Sequence, residues 1–159
     1  MVKYTDKPWI HWGESLIITI VVTSIVISEY SQDPPTQTGL RVKIALGRPL
    51  YALERVLALA ENGQRIKALT QKCLQDVETL FAGEYDDVAS LIRTIHPHDY
   101  RDSEWCDCGR GSVAACDAYV VHRVEVAPVS GQQVSVTYYL KFAIGKTGQL
   151  VLMVSCHLS

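Results

Sequence analysis

The sequence predicts an α+β protein: an N-terminal apolar segment, then two to three helices packed on a C-terminal antiparallel β-meander. Three observations carry this reading. The run from Leu16 to Ile27 has no charge and is set apart by Pro34-Pro35; residues 50–95 repeat apolar positions at helical spacing; and residues 133–144 alternate apolar with polar. The chain accordingly divides into an N-terminal segment 1–30, a Pro-rich linker 31–39 and an α+β domain 40–159, and removal of residues 1–35 is expected to leave that domain folded.

The apolar run comes first. It is shorter than the ~20 residues that cross a bilayer unaided, but Trp9, Ile10 and Trp12 before it and Tyr30 after it lengthen it and give it aromatic ends. Read as a helix, it sets Ser15, Thr19 and Thr23 on one face, a hydroxyl stripe that lets membrane helices approach. Read as a strand, its β-branched density fits equally, and it would need cover on both faces. A single membrane-spanning helix is the expectation; a buried core strand and a cleaved signal are the alternatives. Lys3 and Lys7 precede the run while Glu29 and Asp33 follow it, which places the domain outside the cytoplasm; the alternative is a soluble cytoplasmic protein.

After the linker, Leu40 to Leu46 alternates as a short strand. Pro49 opens a helix with Leu50, Leu53, Leu57 and Ala60 on one face, and Asn62-Gly63 ends it. A second helix carries Ile66, Leu69, Cys73, Val77 and Leu80 and stops at Gly83; a third carries Tyr85, Val88, Leu91, Ile92 and Ile95 and stops before Pro97. A long loop follows. Val120, His122, Val124 and Val126 then form the apolar parity of one strand, Val134, Val136, Tyr138, Leu140, Phe142 and Ile144 that of the next. A bulged turn at Lys146-Thr-Gly148 brings Leu150, Leu152, Val154 and Cys156 onto the same face, the one set against the helices.

Helices first, a short helix ending in His96-Pro97, a loop and then long antiparallel strands is the order of nuclear-transport-factor-like domains, the cystatin-like cone. The chain resembles them from about Leu50 to Ser159, and Phe81-Ala-Gly-Glu-Tyr-Asp-Asp-Val88 is similar to a run common there. Residues up to Gly47 depart from that pattern. With an anchor ahead of the cone, the layout also resembles the inner-membrane assembly subunits of type IV secretion and conjugation systems. The resemblance implies a concave α+β domain and an assembly role, and it transfers no catalytic residue.

Composition excludes little but is useful. With 20% charged residues and a net charge of −2, the chain lacks the clustered Lys and Arg of a nucleic-acid footprint, so no nucleic acid is expected as partner. No nucleophile-elbow, phosphate-loop, dinucleotide-binding or paired-carboxylate pattern occurs, so no catalytic residue and no cofactor are assigned.

Three constellations are candidates. His96, His98, Cys106, Cys108 and Cys116 share the long loop and are the residue types zinc prefers, but Cys-x-Cys lacks zinc-finger spacing, so no metal is assigned and a disulfide of Cys106 or Cys108 with Cys116 is the expectation. Cys73 and Cys156 read as core residues. His122 is set opposite Tyr138 if Val126 pairs with Val134, and the two are either a satisfied core pair or the ligand-binding pair of an apolar pocket. Lastly, Tyr119, Val121, Tyr139, Val151 and Met153 mix with Arg123, Glu125 and Lys141 on the outer sheet face, which suits a protein partner or a second copy. The functional expectation is a non-catalytic, membrane-anchored assembly domain of a cell-envelope complex; the alternative is a soluble cone-shaped small-ligand-binding protein or enzyme.

Overall fold

The structure is a computed structural model, and it describes residues 23–39 and 41–159. The apolar run up to residue 22, and with it most of the expected membrane helix, lies outside the described residues. The fold is α+β. Its strands are β1 (Ile25–Val26), β2 (Val42–Lys43), β3 (Ile66–Ala68), β4 (Tyr100–Gly109), β5 (Ser112–Val126), β6 (Gln133–Ile144) and β7 (Val151–Leu158). Its helices are α1 (Leu53–Leu59), α2 (Gln71–Phe81) and α3 (Tyr85–Ile92). The sheet runs β2-β4-β5-β6-β7-β3; all its neighbours are antiparallel except β3 on β7, and β1 lies parallel to the start of β5.

Tertiary pairing moves several boundaries. The second helix does not begin at Ile66. Ile66-Lys67-Ala68 alternates buried, exposed, buried and pairs with Val151 to Met153, while Thr70 starts α2 by accepting the Cys73 N–H at 3.1 Å and donating to the Val154 carbonyl at 2.9 Å. The first helix opens at Leu53 rather than at Pro49, and the backbone N–H groups of Leu50 and Tyr51 ahead of it turn to the buried Asp117 carboxylate. The expected loop after Pro97 is a hairpin: β4 and β5 pair from Tyr100/Tyr119 to Gly109/Ser112, so β5 is fifteen residues long.

Residues 25–30 belong to the sheet rather than to a detached segment. Ile25 and Ile27 donate to the Gly111 and Val113 carbonyls at 2.9 and 3.0 Å, and Glu29 donates to Ile144 at 2.8 Å. Fully buried Ser28 accepts the Ala115 N–H at 2.9 Å, and Glu29 pairs with Arg55. The described domain therefore starts inside the span assigned to the N-terminal segment. Deleting residues 1–35 is expected to cost at least about 3 kcal/mol, since it strands the buried Ala115 N–H and several ladder groups. Denaturant midpoints check this: an unchanged midpoint would show that β1 is dispensable.

Register also corrects the facing of β5. Ala127 donates to the Gln132 carbonyl and left-handed Gly131 closes a four-residue turn, so Val126 pairs with Gln133 and His122 with Thr137. This one-residue difference from Val126 on Val134 turns every β5 side chain over. Tyr119 and Val121 join Tyr138, Leu140, Phe142 and Ile144 in one core with Val56, Leu59, Cys73, Val77, Val88, Leu91 and Ile92 from the helices. A second correction falls at the β6–β7 turn. Gly145 donates to the Leu150 carbonyl, which aligns Ile144 with Val151, and a bulge at Val154 then returns Cys156 to the core opposite Leu140.

Candidate functional site

The middle of β4 and β5 carries polar groups on both faces, and both are buried. On the helix side, Asp117 is 0% exposed yet accepts from Leu50 N–H at 2.9 Å, Tyr51 N–H at 3.1 Å and the Ser103 hydroxyl at 2.6 Å. Ser103 also meets the Tyr100 hydroxyl at 2.7 Å, so a hydrogen-bonded chain leads from a partly exposed tyrosine to a buried carboxylate. Burial pushes the Asp117 pKa up, against the pull of its three donors. The cluster anchors the segment before α1 to the sheet.

On the opposite face Lys141 pairs with Glu104, both nearly inaccessible, and Lys43 reaches the other Glu104 oxygen at 2.9 Å. Burial opposes the charge on Glu104, but the hydrogen bonds from Lys141 and Lys43 outweigh it and the pKa falls. Beside this pair, Cys106 and Lys141 line a cleft of about 170 Å³ with Arg41, Asp107 and Ser155. The Cys106 thiol donates to the Glu104 carbonyl and the Cys116 thiol to the Ala114 carbonyl; the neighbouring Cys116 lowers the Cys106 pKa, with help from Lys141, while Cys116 itself is pushed up by burial. Cys108 is likewise raised to about 12 by burial.

The expected candidates separate into groups. In the β4–β5 ladder Cys106 faces Ala114 and Cys116 faces Glu104, so the two thiols named in the disulfide expectation are diagonal neighbours, and all five cysteines are free thiols here. His96 and His98 do not join them. Their rings stack on each other at 5.4 Å beside the turn that opens β4, while Cys106 and Cys108 lie at the far end of that strand. Among the described residues no group of three or more His, Cys, Asp or Glu can hold a metal ion. His122 and Tyr138 do not share a pocket: His122 is exposed with Nδ1 2.9 Å from the Thr137 hydroxyl, whereas Tyr138 is buried on the other face and donates to Glu125 at 2.8 Å. The aromatic outer face is also corrected, since Tyr119, Val121, Val151 and Met153 are core residues on the helix side.

A third feature was not anticipated. Ladder pairing with β4 ends at Tyr119, and that with β7 ends at Tyr138, so β5 runs past β4 from Val120 onward, and Arg123–Val126 with Gln133–Val136 continue as a two-stranded ribbon beyond the rest of the sheet. Val124 is 68% exposed, Val126 63%, Val129 101% and Val134 40%. The signal in the sequence is the apolar parity at Val120, Val124 and Val126, which alternation alone assigns to the core. Comparison of the chain with protein-family models, with curated proteins and with solved structures gives no match.

Proposed function

We propose that this chain is a non-catalytic assembly domain that binds protein through the β5–β6 ribbon and is held at an envelope membrane by the segment ahead of Thr23. The ribbon carries the reading. Five of the nine large exposed hydrophobics among the described residues, Val124, Val126, Val129, Val134 and Leu158, gather on the ribbon and the end of β7 beside it. Among the described residues no strand pairs with the outer edge of either strand there, a combination that invites strand addition. The membrane part rests on residues 1–22 and on the Lys3 and Lys7 placement; among the described residues no helix is long and apolar enough to cross a membrane. The likeness of layout to nuclear-transport-factor-like cones and to the assembly subunits of secretion systems supports the same reading. The pocket alternative is less well supported, because its two residues face opposite sides of the sheet.

A photo-crosslinking amino acid at Val126, and in parallel at Leu74 on α2, tests this in the native cell. Membrane-fraction protein adducts are expected from position 126 and not from 74. Absence of any adduct at 126 and at Val134 would end the ribbon reading.

A further inference from the structure

We propose that the ribbon's partner is a second copy of this chain, paired antiparallel along the open edge of β5 about a two-fold axis at Val124; this rests on the reading of the ribbon as a contact surface. The edge is oriented for it. Ala127 N–H donates inward to Gln132, so by strand alternation the odd-numbered groups of β5 turn to β6 and those of His122, Val124 and Val126 turn to the open side. A symmetric ladder centred on Val124 pairs Val124 with itself and His122 with Val126 of the other copy, on the order of six backbone hydrogen bonds. Pro128, which has no N–H, ends it.

The side chains select the centre. With the axis at Val124, Arg123 of each copy lies opposite Glu125 of the other on one face, while Val124 meets Val124 on the other face. Moving the axis to Arg123 sets arginine against arginine, and moving it to Glu125 sets glutamate against glutamate. Only the Val124 axis is complementary. Within one chain Arg123 and Glu125 already lie 3.8 Å apart, and the Tyr138 hydroxyl holds the Glu125 carboxylate, so the two charges share one face of the strand, where those of the second copy would fall opposite them. The valines at 68% and 63% exposure would be covered in the same step.

Sedimentation equilibrium of the full chain in density-matched detergent reads the result. The wild type is expected to sediment as a dimer. Arg123→Glu should weaken association at least tenfold, and Arg123→Glu/Glu125→Arg should restore it, because the swapped charges again face their opposites. Val124→Pro should give a monomer with an unchanged circular dichroism spectrum, since by strand alternation its N–H turns away from β6 and makes no ladder bond among the described residues. A monomeric wild type, a dimer indifferent to Arg123→Glu and Val124→Pro, or a folded double variant that stays monomeric would each overturn the proposal. A monomeric wild type whose position 126 crosslinks to a different polypeptide ends the second-copy proposal and leaves the ribbon reading intact; a monomer with no adduct ends both.

Discussion

Asp117→Ala is expected to lower stability by about 3–5 kcal/mol, read as a shift of the denaturant midpoint at unchanged slope. The carboxylate receives the Leu50 and Tyr51 N–H groups and the Ser103 hydroxyl inside the protein, and alanine leaves all three without an acceptor. Asp117→Asn keeps one oxygen and should fall between. The two also differ in pH dependence. Because burial raises the Asp117 pKa above 3.8, the folded state holds its proton longer than the unfolded chain does. The cost of burying the charge is full above the folded pKa and vanishes as pH falls below 3.8, so this group alone makes the protein relatively more stable in acid. That component should be missing in Asp117→Asn. A midpoint within about 1 kcal/mol of wild type for Asp117→Ala would show that the donors find other partners.

Glu104→Gln is expected to cost about 3–5 kcal/mol, because it leaves the Lys141 ammonium buried without its counter-charge. Lys141→Met should cost less, since Lys43 still reaches Glu104 at 2.9 Å. Replacing both, Glu104→Leu with Lys141→Met, should return to within about 2 kcal/mol of wild type, because the desolvation penalty leaves together with the attraction. Signs follow from the pKa directions. Glu104 is lowered, so its contribution is present above 4.5 and lost as pH falls through its folded value; Lys141 is raised by Glu104 despite burial, so its contribution is present below 10.5 and lost as pH rises through its folded value. Wild type minus double variant should thus be flat between 4.5 and 10.5 and fall off at both ends. A difference that does not bend at either end would mean that the pair carries no such linkage.

How much of this was legible can be argued from particular residues. The inward parity of Tyr138, Leu140, Phe142 and Ile144, the helical faces around Cys73, Val77, Val88 and Leu91, and the stop before Pro97 follow from period and from proline geometry, which are local. Cys106, Cys108 and Cys116 were legible as thiols close in sequence, but which of them the ladder sets opposite which was not. Asp117 and Lys141 were open to suspicion, each being a charge inside an apolar stretch, but a single outward side chain looks the same in sequence whether water or a counter-ion meets it.

The sequence by itself therefore determined the α+β class, the three-helix order and the apolar stripe of β6, because side-chain period is a property of the chain's own backbone. Tertiary structure alone decided the rest. Ile66–Ala68 became a strand because β7 offered it a parallel edge, and residues 25–30 entered the sheet because the start of β5 had an open side. The face of β5 was decided by the four-residue turn closed at Gly131, which sets His122 against Thr137 rather than Tyr138. Register between strands is set by long-range pairing and by turn geometry, and one residue of difference exchanges core for surface; that is why the candidate contact of this protein lies on valines that the alternation alone had placed inside.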